Sequence, residues 1–245
     1  MTVHLGGLPT ATATTLLCDA DGTLFPSEEP AYVASADVTN RFLTGLGAER
    51  PFSPAELQQL TNGKNFRGAA QQLADGYGRT LSRTDLDRWT AEEKDVVTAH
   101  LRTVLRPDPR VLGPLRTLST RFRLAVVTSS ARSRLGACLQ VTDLAPLFPP
   151  DRWFSAEDSL PEPTSKPDPA VYLHAARELG ITPDQGIAVE DSVNGALSAV
   201  AAGHPTVGTV QFVPPDQRTE RTQELTDVGV AAVVTSWEEL AELLA

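Results

Sequence analysis

The sequence predicts an α/β fold, in which an open parallel sheet is flanked by helices and interrupted by a long helical insertion. Three observations support this prediction. Short apolar runs end abruptly in polar residues, helical patterns alternate with these runs, and one long stretch carries helical patterns without a convincing strand. With 245 residues, the chain is longer than one small domain and shorter than two full ones, which fits a single domain that carries an insertion.

Five apolar runs are the candidate strands. In chain order they lie at 15–18, 124–127, 187–189, 206–210 and 230–234. Continuous runs of this length are typical of strands buried on both faces, as in a parallel sheet. Because helical patterns separate them, we expect right-handed βαβ units.

Capping residues mark the helices between these strands. Asp168 and Pro169 offer an N-cap and a proline at the first helical position, and Gly180 closes the same helix. Ser192 opens a helix of small residues over 193–202.

The insertion is predicted at 26–107, which leaves 1–25 and 108–245 as the α/β core. Its clearest helix lies at 84–105, because apolar residues fall on one helical face there at steps of three or four. These residues are Leu86, Trp89, Val97, Leu101 and Val104.

Composition excludes several classes of protein. The 31 acidic residues outnumber the 21 basic ones, and the net charge of −10 disfavours general binding to nucleic acid or to an acidic membrane. No apolar run approaches the roughly 20 residues of a membrane span, and the N-terminus shows no secretory signal. The two cysteines, Cys18 and Cys138, give neither metal-ligand spacing nor a disulfide framework. We therefore expect a reducing, cytoplasmic location; composition does not indicate an oligomeric state.

Polar residues at the strand ends form the candidate site, because ligands bind at the carboxyl ends of the strands in an open α/β sheet. Parallel strands bring six of them to one edge, namely Asp19, Asp21, Thr128, Ser129, Glu190 and Asp191. Four carboxylates this close cannot all stay ionised without compensation, and a hard divalent cation such as Mg²⁺ is the simplest solution. Lys166, in a loop restricted by prolines, is suited to supply a further positive charge. Such a group binds phosphate, and one carboxylate can then act as a nucleophile.

Four motifs together resemble those of the haloacid dehalogenase superfamily of aspartate-nucleophile phosphotransferases. They are Asp19-Ala20-Asp21-Gly22-Thr23, Thr128, Lys166, and Glu190-Asp191-Ser192 with Gly195. The chain is similar in particular to the helical-cap subgroup, which includes β-phosphoglucomutase and phosphoglycolate phosphatase. The resemblance implies a Rossmann-like, three-layer α/β/α core with an inserted α-helical cap domain at 26–107 that selects the substrate.

The resemblance also implies catalytic roles. Asp19 would attack phosphorus and form an aspartyl-phosphate, and Asp21 would protonate the leaving alkoxide and then activate water. Thr128 would hydrogen-bond a phosphoryl oxygen, and Lys166 would neutralise Asp19 and the phosphoryl group.

The implied metal is Mg²⁺. Asp19, the backbone carbonyl of Asp21, and Asp191 would hold it, with Glu190 either a direct ligand or placed behind the ligands. Taken alone, each motif also has an ordinary explanation, since Asp-Gly is common in turns and acids or hydroxyls cap helices. The occurrence of all four motifs in order favours the functional interpretation.

Further residues are predicted to bind the substrate. In the core, Ser129 adjoins the phosphate-binding Thr128. In the insertion, the segment 61–67 resembles a cap loop that reaches over the core site, and Gly63, Lys64 and Arg67 are the candidates there. A solvated helix start explains this basic segment equally well.

The favoured function is Mg²⁺-dependent hydrolysis of a small phosphate ester, most plausibly a sugar or polyol phosphate. An acid at Asp21 argues against dehalogenation, because a halide needs no proton. The alternative is a sugar phosphomutase of the β-phosphoglucomutase type, whose relatives place a histidine early in the cap; the corresponding stretch, 28–32, has none. A non-enzymatic binding protein on the same fold would be expected to lack a motif residue, and none is missing.

Overall fold

The computed structural model of the protein describes residues 3–4, 6–61 and 66–245, with the backbone alone described at 3, 4, 58 and 61. The chain divides into two compact units. An α/β unit comprises Met1–Pro26 and Leu105–Ala245, and a helical unit comprises Ser27–Val104. The sequence prediction placed the insertion at 26–107, and its role in substrate selection stays a prediction.

The elements are numbered in chain order within the described residues. The strands are β1 (Val3–His4), β2 (Thr15–Cys18), β3 (Arg123–Thr128), β4 (Trp153–Ser155), β5 (Gly186–Glu190), β6 (Thr206–Thr209) and β7 (Ala232–Val234). The helices are α1 (Glu28–Leu46), α2 (Pro54–Thr61), α3 (Phe66–Gly76), α4 (Arg83–Val104), α5 (Pro109–Leu118), α6 (Arg132–Val141), α7 (Ala170–Leu179), α8 (Val193–Ala201), α9 (Arg218–Asp227) and α10 (Trp237–Leu243).

The described strands form one sheet in the order β1-β7-β6-β5-β2-β3-β4. All pairs are parallel except β1 with β7, which is antiparallel. Cys18 of β2 pairs with Val126 of β3 and with Val189 of β5, so these three strands end nearly level. The predicted α/β fold is confirmed. The chain adds β3 and β4 on one side of β2 and then β5 and β6 on the other side, and folds of this kind bind ligands where the strand order changes side.

Burial on both faces explains the continuous apolar runs. Every residue of β2 and β5 is buried, and one face of the sheet packs against α7. Leu17, Ala125 and Ala188 lie in this cluster together with Val171 and Ala175 of α7. With apolar side chains on both sides, the strands leave polar residues only at their ends.

The helical unit has an apolar core of its own. Phe42 and Leu43 of α1 and Leu73 of α3 are buried there, and Trp89 of α4 packs edge-on against Phe42 at 5.6 Å between ring centroids. The predicted apolar face of α4 is confirmed at Val97 and Leu101, which are buried. It is wrong at Val104, the last residue of α4, which is 40% exposed.

Two details of the sequence prediction need correction. The helix after Lys166 begins at Ala170, although Asp168 still accepts a hydrogen bond from the Ala170 amide at 2.9 Å. Gly180 ends it in the left-handed conformation, as predicted. The strands β1 and β4 were not predicted, because two and three residues carry too short a pattern. Among the described residues, no helix combines the length and the apolar character needed to cross a membrane.

Candidate active site

Three carboxylates meet at the carboxyl edge of the sheet. Asp19 follows β2 directly, Glu190 is the last residue of β5, and Asp191 follows it. One carboxylate oxygen from each lies within 4.8 Å of the others, and all three residues are buried. The level ends of β2 and β5 bring together acids that are about 170 positions apart in the sequence.

Lys166 provides the positive charge within this group. Its Nζ donates to Asp19 Oδ1 at 2.6 Å, to Glu190 Oε1 at 2.6 Å and to the Val127 carbonyl at 2.8 Å. These acceptors account for all three protons of the ammonium, so the side chain is held in one position. Its backbone amide donates to Ser129 Oγ at 3.2 Å, which fixes the loop that carries it against the end of β3.

The electrostatics leave the group short of positive charge. Burial raises the pKa of Asp19 and raises that of Glu190 to about 8, and Lys166 offsets only part of each shift. Burial would lower the pKa of Lys166, but the Asp19 and Glu190 carboxylates together raise it above its usual value, so the lysine stays charged. One buried cation therefore faces three buried carboxylates.

This donor set fits a divalent cation. Carboxylate oxygens are the ligands that Mg²⁺ prefers, and the three oxygens already converge. Glu190 Oε2 is a buried oxygen that has no hydrogen-bond partner among the residues that the structure describes. A bound cation would stabilise the ionised forms of these acids, which burial disfavours.

Two glycines permit the close approach of backbone to these acids. Gly22 has φ +78°, and a Cβ there would lie 2.1 Å from Asp191 Oδ2. At Gly195, near the start of α8, a Cβ would lie 1.8 Å from Glu190 Oε2. Both distances are far below van der Waals contact, so a side chain at either position would have to displace one of the carboxylates.

The remaining motif residues border the carboxylate group. Asp21 is half-buried, and its Oδ2 accepts a hydrogen bond from Ser130 Oγ at 2.7 Å. The three-carboxylate group does not include the Asp21 side chain. The backbone carbonyl of Asp21 therefore remains the predicted metal ligand at this residue. Thr23 Oγ1 donates to Asp191 Oδ1 at 3.0 Å. This bond connects the first acidic loop, 19–23 after β2, to the second acidic loop, 190–192 at the end of β5.

Thr128 and Ser129 lie at the end of β3 on the same sheet edge. Thr128 is buried, and its Oγ1 accepts from the Ser130 amide at 3.0 Å. A hydroxyl that accepts one hydrogen bond keeps its own proton for donation. Ser129 is half-buried, and its contact with the backbone of Lys166 gives it a part in shaping the loop.

Of the three predicted substrate-binding residues of the insertion, the structure describes Arg67. Gly63 and Lys64 lie outside the described residues. Arg67 is exposed and forms an ion pair with Asp87 of α4 inside the helical unit. A role in substrate binding for all three stays a prediction.

Sequence reasoning missed two residues of this site. Tyr172 donates its buried hydroxyl to Glu190 Oε1, and burial raises its pKa well above the usual value, which keeps it a donor. The signal was a tyrosine on the buried face of α7, six positions after Lys166. Ser130, which donates to Asp21, was not predicted as a site residue.

Comparisons with known proteins identify the family of the chain. A family model described as haloacid dehalogenase-like hydrolase matches residues 13–203. Phosphoglycolate phosphatase of Pseudomonas putida is 30% identical over 200 residues, which cover 79% of this chain and 68% of that protein. The 6-phosphogluconate phosphatase of Escherichia coli is 27% identical over 191 residues, which cover 76% and 77%.

A solved structure is similar over nearly the whole chain. It is a hydrolase of the same family from Deinococcus radiodurans with bound phosphate and sodium, 26% identical, with a TM-score of 0.64 over 95% of this chain and 96% of that one. The comparisons confirm that the chain is a hydrolase with phosphatases among its relatives. Because the family model covers most of the sequence, the protein belongs to the haloacid dehalogenase-like hydrolases.

Proposed function

We propose that the protein is a Mg²⁺-dependent phosphatase that hydrolyses a small sugar or polyol phosphate through an aspartyl-phosphate on Asp19. The observation that carries this proposal is the buried group in which Lys166 bonds both Asp19 and Glu190 at 2.6 Å, with Asp191 beside them. The similarity to a phosphoglycolate phosphatase and a 6-phosphogluconate phosphatase supports a small phosphorylated metabolite as substrate.

Asp19, Asp191 and the Asp21 carbonyl would hold the metal, with Glu190 beside them. When bound, Mg²⁺ supplies positive charge that neutralises phosphoryl oxygens and lowers the repulsion between the phosphate and the attacking carboxylate. The buried acids make this charge necessary, because Lys166 alone does not balance them.

In the first step, a carboxylate oxygen of Asp19 attacks phosphorus in line with the ester oxygen. The bond from phosphorus to the ester oxygen breaks, and Asp21 gives its proton to the leaving alkoxide. Lys166 favours the ionised form of Asp19 and holds it in place, while Thr128 donates its hydroxyl proton to a phosphoryl oxygen.

In the second step, Asp21 accepts a proton from water as the water oxygen attacks phosphorus. The bond between Asp19 and phosphorus breaks, inorganic phosphate leaves, and both carboxyl groups return to their starting states. The half-buried position of Asp21 at the border of the carboxylate group suits this exchange with water.

A hydrolysis screen tests the proposal. A panel of phosphorylated metabolites and p-nitrophenyl phosphate is incubated with the enzyme in Mg²⁺, and released phosphate is measured. We expect Asp19→Asn to abolish turnover, because the amide is not a nucleophile, while leaving the fold intact by circular dichroism. Full activity of Asp19→Asn would contradict the mechanism, and conversion of a sugar 1-phosphate into a 6-phosphate without phosphate release would favour the mutase.

A further inference from the structure

The segment 204–245 lies beyond the family match, yet two of its side chains contact the acidic loops of the candidate site. Trp237 Nε1 donates to the Thr23 carbonyl at 3.0 Å, and Arg221 donates to the Asp191 carbonyl at 2.9 Å. We propose that Trp237 is a positioning residue for the metal site, through its hold on Thr23. This inference rests on the proposed function, because that function supplies the metal.

Thr23 connects Trp237 to a metal ligand. It is fully buried, its carbonyl accepts from the indole, and its hydroxyl donates to Asp191 Oδ1 at 3.0 Å. The preceding residue, Gly22, runs so close to Asp191 that no side chain fits between them. A small shift of this loop would therefore change the position of the Asp191 carboxylate.

Trp237 is itself held firmly. Its side chain is buried, and its backbone amide donates to Gln211 Oε1 at 2.8 Å at the start of α10. The first turn of that helix is capped by Ser236, which accepts from the Glu239 amide at 3.1 Å. An indole has one N–H, and buried indoles use it for one partner, so no other donor of Trp237 can replace this contact.

Arg221 supplies independent support from a different helix. It lies in α9, its side chain is 30% exposed, and it holds the main chain of Asp191 while pairing with Glu224. The segment 204–245 thus forms a hydrogen bond with each acidic loop, at the Thr23 carbonyl in the first and at the Asp191 carbonyl in the second. Partners of this kind orient metal ligands and affect metal affinity without touching the metal.

The test is the affinity for the metal alone. We expect Trp237→Phe to weaken Mn²⁺ binding about tenfold, measured from the free Mn²⁺ signal by electron paramagnetic resonance, with Mg²⁺ affinity obtained by competition. The matched control is Trp153→Phe, because Trp153 also donates its indole proton to a carbonyl, that of Phe148 at 2.8 Å. The control should lower the thermal midpoint and leave metal affinity unchanged. Unchanged metal affinity in folded Trp237→Phe, or an equal loss in both variants, would overturn the inference.

A second variant covers the case in which Trp237→Phe does not fold. Benzothienylalanine placed at position 237 keeps the shape of the indole and replaces its N–H by sulfur. The same tenfold loss is expected, since only the hydrogen bond to Thr23 is removed. If the wild-type protein binds neither Mn²⁺ nor Mg²⁺, the proposed metal site is wrong and this inference fails with it. If the wild-type protein binds the metal and the variants bind it with the same affinity, the proposed function stands and the inference is wrong.

Discussion

The candidate site of the α/β unit and the surface of the helical unit hold their charged side chains in opposite ways. In the α/β unit, Lys166 is buried and each proton of its ammonium meets an oxygen atom. In the helical unit, the ion pairs join exposed side chains, as between Arg50 and Glu56 at 2.7 Å, whose side chains are 61% and 41% exposed. Breaking a buried pair costs about 3–5 kcal/mol, whereas exposed pairs contribute about 0–1 kcal/mol. The buried site thus has a fixed geometry, whereas the surface ion pairs of the helical unit can be changed at little cost in stability.

The largest effect is expected from Lys166→Met. Removal of the ammonium leaves Asp19 and Glu190 buried without their cation, so we expect a loss of about 3–5 kcal/mol in the free energy of unfolding. Phosphatase activity should fall by at least about a thousandfold, because both the nucleophile and the phosphoryl group lose a charge partner. Urea denaturation and phosphate release measure the two losses.

Arg41→Met is the matched control in the helical unit. Arg41 pairs with Glu92, and the two side chains are 52% and 34% exposed, so its replacement should change the free energy of unfolding by less than about 1 kcal/mol. Equal destabilisation by the two substitutions would contradict the contrast between the units.

A pair of glycine substitutions gives effects of opposite sign. Gly195→Ala should destabilise the protein by about 1–3 kcal/mol, because the new methyl group would lie 1.8 Å from Glu190 Oε2, and Lys166 and Tyr172 hold that side chain in place. Gly45→Ala in α1 meets no atom within 4 Å and should stabilise by up to about 1 kcal/mol. Denaturation midpoints of both variants decide, and a stabilising Gly195→Ala would show that the carboxylate moves freely.

The sequence predicted the strands and the acids of the site, but it did not predict the contacts that position those acids. The strands and the acids at their ends were predictable, because burial on both faces leaves a continuous apolar run that stops where Asp19 and Glu190 begin. The contacts of Tyr172, Ser130 and Trp237 were not, because each joins residues distant in sequence through packing that no spacing encodes. Short elements such as β4 also escape prediction, since three residues show no period.

The smallest effect on stability is expected at Arg67, where the contrast is sharpest. Its ion pair with Asp87 joins side chains that are 45% and 53% exposed, so Arg67→Gln should change the free energy of unfolding by less than about 1 kcal/mol. If the segment 61–67 selects substrate, the same substitution should raise KM several-fold for the substrate found in the screen and leave kcat nearly unchanged, since binding and not chemistry is affected. Arg50→Gln, which breaks another exposed pair of the helical unit, is the control and should leave both constants unchanged. Identical kinetics for the two variants would mean that Arg67 is a solvent-exposed residue at the start of its helix without a role in substrate binding, and that other residues select the substrate.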